Sequence, residues 1–394
     1  MTEREFAVDV VRRLQGAGYR ALWAGGCVRD ELLGLAPLDY DVASDATPAQ
    51  VKALFRRCVE VGVAFGVIEV LGPRGDGGEW LKVQVATFRN DGHYSDGRRP
   101  DSVTFSSPEE DARRRDFTVN GIFFDPIANR VIDYVGGQDD LKAKVLRAIG
   151  DPVARFTEDK LRVLRAVRMA ARFELAIDPA TQEAAKAMAA QVRAVSAERI
   201  AEELRKIFAH RNRVRGAELL ADFDLLKPVL PEVERVDSAL LAALPVEASF
   251  PLAFAAFVLP VGKKVAGAIA RRLKLSNDEK DRIEWLVANH SGLRNVSKLR
   301  PSERHPLLTH PGTGDLLALM RAGGHFEDAE FCSHLLRTTP REVLDPPPLL
   351  TGDDLVAMGW KPGPKFKTAL DEVRRKQLDG ELATRADAEA FVRG

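Results

Sequence analysis

The chain has 394 residues, more than one ordinary core of about 150 holds, and its 58 Lys plus Arg balance 58 Asp plus Glu, which excludes a globally basic nucleic-acid binder and confines any such contact to a local patch. Three dispersed cysteines, Cys27, Cys58 and Cys332, exclude a disulfide framework or a zinc cluster and fit a reducing cytoplasm. The N-terminus carries acids and no apolar signal core, and the most apolar stretch, 250–261, is bounded by prolines and falls far short of a membrane span, so a soluble cytoplasmic protein is expected.

In chain order, Phe6, Val10 and Leu14 predict a helix over 2–15 that ends at Gly16 and Gly18. The short apolar strand Leu22-Trp23-Ala24 then runs into Gly25-Gly26, where backbone must come close to something, and into a helix start carrying Arg29 and Asp30. Such a turn can hold a phosphate. Asp39 and Asp41 flank Tyr40 at strand spacing, which projects both carboxylates from one face, and paired carboxylates bind a hard divalent cation. Thr47-Pro48 reads as a helix cap; 66–71 and 80–88 read as strands joined by a Gly-rich hairpin loop.

From Arg89 to Arg115 the chain loses periodicity and reads as a long mobile loop, of the kind that is either functional or disordered, leading to Asp116 and Asn120, four apart and so expected on one helical face. Val131 to Val135 and Gly136-Gly137 close this unit. Beyond Asp151-Pro152 the pattern is helix after helix with no further strand signal. The helix expected over 158–173 would align Asp159, Arg162 and Arg165 on one face, with Arg168 close by. A carboxylate beside an arginine complements the edge that cytosine and adenine share, an amino donor next to a ring-nitrogen acceptor; uracil and guanine present the opposite pattern. Basic residues around 361–367 and 374–376 mark a last helical segment.

Five motifs arrive in order: Gly25-Gly26-Cys27-Val28-Arg29-Asp30, Asp39-Tyr40-Asp41, Asp91-Gly92-His93-Tyr94 through Arg98-Arg99-Pro100, Arg114 through Asn120, and Glu158 through Arg165. In these the chain resembles the bacterial class II tRNA nucleotidyltransferases, or CCA-adding enzymes, and the closely similar bacterial poly(A) polymerases. Gly352-Asp353-Asp354-Leu355 with Gly359 and Pro362-Gly363-Pro364 resembles the family's tail segment.

The resemblance implies an α+β fold: a small mixed-sheet nucleotidyltransferase head (1–149), then an elongated all-α neck (150–225), body (226–345) and tRNA-binding tail (346–394). It implies that Asp39 and Asp41 bind catalytic Mg²⁺, that Gly26 and Arg29 contact the triphosphate, and that Arg115 binds nucleotide with Asp116 and Asn120 near the ribose and phosphates. Asp159 and Arg162 would template the base, supported by Arg165 and Arg168. ATP and CTP would be the substrates and the tRNA 3′ end the acceptor. One departure is Gln84, where relatives often carry an acid; Glu69 lies on the neighbouring strand but nothing in the sequence supports it as a substitute, and no general base is named. Addition of C, C and A is the expected output, ahead of A-only or poly(A) addition, and a catalytically inactive RNA-binding protein is the alternative of another class.

Overall fold

A Ser, Thr or Asp followed by Pro starts a helix well, because the side chain accepts an orphan N–H and the proline has none to lose. Thr47-Pro48, Ser107-Pro108, Asp151-Pro152 and Asp178-Pro179 each do so in the computed structural model, which describes residues 1–62, 66–75, 78–92, 103–361 and 363–393. The chain forms two compact units, Met1–Glu203 with Leu219–Pro231, and Leu204–Glu218 with Glu232–Gly394.

The first unit begins with α1 (Glu3–Gly16), capped reciprocally by Thr2 and Glu5, then β1 (Ala21–Ala24), α2 (Gly26–Leu32), β2 (Asp41–Ser44) and α3 (Pro48–Leu54). Next come β3 (Cys58–Gly62), β4 (Val67–Arg74), β5 (Trp80–Thr87), β6 (Arg89–Asp91), β7 (Val103–Phe105) and α4 (Pro108–Arg113). The strands β8 (Ile122–Asp125) and β9 (Arg130–Asp133) and the helix α5 (Gly137–Lys142) complete the head.

Seven strands make one mixed sheet in the order β3-β4-β5-β2-β1-β8-β9. All neighbours in it are antiparallel except β2 and β5, whose parallel register sets Asp41 opposite Gln84 and Val42 opposite Val85. Alternation decides the faces. Trp23, Val42, Val85 and Ile68 form one fully buried row across the sheet, and Arg4 of α1 stacks over the Trp23 ring. On the opposite face Leu22, Ala24, Ala43, Phe88, Ala112 and Phe123 form a second cluster. Each such large side chain contributes about 1.5–3 kcal/mol by leaving water.

The helical part of this unit holds α6 (Pro152–Glu158), α7 (Leu161–Arg172), α8 (Pro179–Met188) and the start of α9 (Ala197–Phe208). Three features differ from expectation. The stretch 89–115, which reads as a loop, carries the paired strands β6 and β7 and the helix α4 among its described residues. Val145–Leu146 and Ala176–Ile177 form a parallel pair of strands, each too short to show a period-two pattern. The helix expected over 158–173 is two helices, because Asp159 is extended (φ −142, ψ 105) and its carboxylate accepts the Leu161 N–H at 3.0 Å, starting a new helix.

The second unit is helical throughout its described residues. Phe250–Arg272 is a run of 23 residues whose most apolar 18-residue window has mean hydropathy 1.6, longer than the apolar stretch expected and sufficient by length and composition for a membrane span. Its apolar side chains are used within the unit: 56% of its most apolar window is buried, Phe254 and Phe257 pack on Phe208, and Pro260 and Gly262 (φ +75) divide the run into two helices. Residues 346–393 close their own small core of Leu350, Leu355, Val373 and Ala388.

Candidate active site

The glycine turn between β1 and α2 is required by space as well as by backbone. Gly25 has φ +74, which L side chains rarely adopt, and a Cβ there would lie 2.7 Å from Arg115 Nη1. Arg115 is aimed at this turn by Asp111, whose Oδ2 accepts from Arg115 Nη2 at 2.9 Å while its Oδ1 accepts from Arg114 Nη2 at 2.6 Å. Burial opposes ionisation of Asp111, but Arg115 and Arg114 outweigh it and hold its carboxyl below the ordinary range.

Asp39 stands just before β2 and Asp41 is its first residue, with Tyr40 between them turned inward: its hydroxyl donates to Glu31 Oε1 at 2.8 Å and its ring lies 4.8 Å from that of Trp23. An anchored central residue leaves both flanking acids outward, as the alternation predicts. Asp41 is exposed as a whole residue yet its carboxyl is crowded by protein, and this loss of water, with the Asp39 carboxylate beside it, pushes it up to about 6 against the pull of Arg115. Gln84 lies opposite Asp41, and Glu69 opposite Gln84, so the three occupy one row of the sheet; Glu69 Oε1 is 3.8 Å from Lys82 Nζ. Among the described residues no group of three or more His, Cys, Asp or Glu is placed to hold a metal.

A buried polar chain leads away from the turn. Arg29, 6% exposed, donates to Asp30 Oδ1 at 2.5 Å and to Asn120 Oδ1 at 2.6 Å, and stacks over Phe173. Asn120 Nδ2 in turn donates to Asp116 Oδ1 at 2.9 Å, across a 3₁₀ turn (Thr118–Asn120) rather than the expected helical face. Arg165 of α7 donates twice to Asp116 Oδ2, at 2.8 and 2.5 Å. Burial would raise Asp116, but Arg165 and Asn120 together hold it far below the usual carboxylate range.

Asp159, between α6 and α7, accepts a two-pronged contact from Arg199 of α9, Nη1 to Oδ1 at 3.1 Å and Nη2 to Oδ2 at 2.7 Å. Arg162 Nη1 donates to Glu158 Oε2 at 2.6 Å and to the Arg155 carbonyl at 3.0 Å. Arg168 donates to Glu203 at 2.6 Å and is buried.

The structure thus gathers Arg29, Asp116, Asn120 and Arg165 into one connected chain of contacts, sets Arg115 beside Gly25, and places Gly26 at the start of α2 and Arg162 at the start of α7. Arg168 is joined to α9 through Glu203. The loop motif from His93 to Pro100, and Pro362, lie outside the described residues. Sequence reasoning missed Asp111, Arg199 and Glu203. The only signal for Asp111 is its spacing of three and four to Arg114 and Arg115; Arg199 lies 40 residues from its partner, beyond any local pattern.

The mixed sheet with a glycine turn and an Asp-x-Asp strand entry defines a nucleotidyltransferase head. Residues 21–147 match the family described as "Poly A polymerase head domain", and residues 174–236 match "Probable RNA and SrmB- binding site of polymerase A". The chain belongs to the family of CCA-adding enzymes and bacterial poly(A) polymerases: it is 32% identical over 398 residues to the CCA-adding enzyme of Limosilactobacillus fermentum, a match covering 97% of this chain and 94% of that protein. Poly(A) polymerase I of Salmonella typhi is 39% identical over 243 residues, covering 59% of this chain and 51% of that protein, so the chain spans about half the length of these relatives. Among solved structures, the Bacillus stearothermophilus CCA-adding enzyme in complex with CTP matches with a TM-score of 0.80 at 26% identity, covering 100% of this chain and 98% of that one.

Proposed function

We propose that this chain adds the 3′-terminal C, C and A to tRNA, transferring CMP and AMP from CTP and ATP with release of pyrophosphate, and that protein side chains choose the base. The observation that carries this is the match to a CCA-adding enzyme along nearly the whole of both chains. The higher identity to poly(A) polymerase I over a shorter span favours A addition as the second reading.

Asp39 and Asp41 are hard oxygen donors whose mutual repulsion a small divalent cation relieves, and Mg²⁺, which takes few protein ligands and retains water and phosphate oxygens, fits such a pair. Bound there, Mg²⁺ would lower the pKa of the RNA 3′-hydroxyl and neutralise charge on the leaving group. Gly26, Arg29 and Arg115 contact the triphosphate, and Asp116 and Asn120 lie near the ribose and phosphates, with Arg29, Asn120 and Asp116 held to one another by hydrogen bonds. No general base is assigned, since Gln84 stands where a third acid would face Asp41. Gln84→Glu therefore adds a carboxylate in register and should lower the Mg²⁺ concentration for half-maximal incorporation roughly threefold or more; a Mg²⁺ titration that superposes on the parent's would count against it.

Asp159 supplies the acceptor and Arg162 the donor for the shared edge of C and A, with Arg165 and Arg168 behind them. Asp159→Ala or Arg162→Ala should narrow the preference for CTP over UTP and ATP over GTP roughly tenfold, since U and G then leave fewer buried groups unpaired. Single-nucleotide incorporation with each of the four triphosphates measures this, and unchanged ratios would remove the assignment. In this reading residues 1–149 are the head, 150–225 the neck, 226–345 the body and 346–394 a tail whose exposed Lys361, Lys365 and Lys367 meet tRNA phosphates. The reaction belongs to the cytoplasm.

The direct experiment offers labelled ATP, CTP, UTP and GTP, singly and together with Mg²⁺, to a tRNA transcript lacking the terminal triplet and to one ending in CC. Two C and one A on the first, then arrest, supports the proposal. Long A runs on either transcript support the poly(A) reading, A on the CC transcript alone an A-adding enzyme, and no incorporation an inactive RNA-binding protein.

A further inference from the structure

We propose that Arg199 is a positioning residue that sets nucleotide selectivity by fixing the plane of the Asp159 carboxylate; this rests on the template role proposed for Asp159 and Arg162. An ionised carboxylate offers about four in-plane acceptor sites and turns readily about its last torsion. Here Oδ1 is filled by the Leu161 N–H at 3.0 Å and Arg199 Nη1 at 3.1 Å, and Oδ2 takes Arg199 Nη2 at 2.7 Å. One acceptor site remains, on Oδ2.

Arg162 is restricted in the same manner. Its Nη1 is used by Glu158 and the Arg155 carbonyl, which leaves Nε and Nη2 as donors. A single acceptor beside a single donor edge matches the one pattern that C and A share, whereas a freely turning carboxylate with three more open sites also accepts the ring N–H of U or G. Arg199 creates the restriction because its planar fork holds both oxygens at once, which a lysine cannot do. The helix that carries it is itself anchored one turn later, where Glu203 accepts from Arg168 of α7 at 2.6 Å. Arg199 need not touch the nucleotide to act.

The test uses the full chain with Arg199→Ala, Arg199→Lys and Asp159→Ala on a tRNA transcript lacking the terminal triplet. It reads kcat and KM for CTP and UTP, the Mg²⁺ half-saturation and the melting temperature. Arg199→Ala should lower the CTP-to-UTP ratio of kcat/KM roughly tenfold, mainly by raising KM for CTP. Arg199→Lys, which keeps the charge but not the fork, should fall between it and the parent, and the Mg²⁺ half-saturation should stay at the parent value in both. A ratio unchanged in Arg199→Ala while Asp159→Ala collapses it would overturn the positioning role and leave the template intact. An equal loss of kcat for both nucleotides with a shifted Mg²⁺ dependence would mark Arg199 as merely structural. If Asp159→Ala itself preserves the ratio, the template assignment fails and this inference fails with it.

Discussion

Asp39→Asn and Asp41→Asn proteins should retain tRNA binding while incorporation falls at least about 10³-fold, because in the proposed reaction a metal held by that pair would supply several kcal/mol of transition-state stabilisation. The same substitutions should have an opposite effect on stability. Asp41 is raised to about 6 in the fold by loss of water and by Asp39, well above the ordinary value near 4. A carboxyl raised in the folded state disfavours folding once it is forced to ionise, so in the absence of metal the folded chain is penalised above pH 6 and relieved as pH falls through that value. Asp41→Asn should therefore melt above the parent at pH 8 in a chelator. The advantage should shrink toward pH 5 as the parent's Asp41 takes up its proton, and shrink again when Mg²⁺ is supplied to the parent at pH 8. Melting curves for both proteins under these four conditions test it. A parent that is more stable than Asp41→Asn in chelator at pH 8 would show that the acid pair is not held against its own repulsion.

Much of this site is legible in the sequence where its chemistry is local. The left-handed Gly25, the inward Tyr40 between two acids and the Thr47-Pro48 helix start depend on neighbours a few residues away, and each is where the pattern places it, whereas the helix begun by Ser107-Pro108 lies in a stretch whose polar composition reads as loop. The long helix expected over 158–173 fails for an instructive reason. Asp159 has the spacing of a helix-face residue, but Asp also competes for backbone N–H groups, and Arg199 secures the carboxylate in the extended arrangement from 40 residues away. Nothing near Asp159 announces that partner. The burial of Arg29 is equally hidden: its motif places it beside the glycine turn, while its contacts with Asn120 and Phe173 come from elements 91 and 144 residues on. Register has the same character, since only the parallel pairing of β2 with β5 puts Gln84 beside Asp41.

The contact that ties the head to α7 is expected to be the costliest to remove. Asp116→Ala strips Arg165 of the carboxylate that raises its affinity for the proton and leaves Asn120 Nδ2 without its acceptor. Breaking a wholly buried ion pair costs about 3–5 kcal/mol. Arg165 keeps 35% of its side chain in solvent, where water takes up part of the unpaired charge, so about 2 kcal/mol is the better expectation. In a unit of this size that lowers the melting temperature by roughly 5 °C. Asp116→Asn isolates the charge, since its amide oxygen still accepts from Asn120. Because the folded Asp116 carboxyl lies far below its unfolded value near 4, its ion pair stabilises the fold fully above about pH 4 and ever less as pH falls toward the folded value. The parent and Asp116→Asn should therefore differ most at neutral pH and converge on acidification below about pH 4. Urea unfolding of both proteins from pH 7 to pH 3 reads the gap directly, and a gap independent of pH would mean that Asp116 holds α7 by shape and hydrogen bonding rather than by charge.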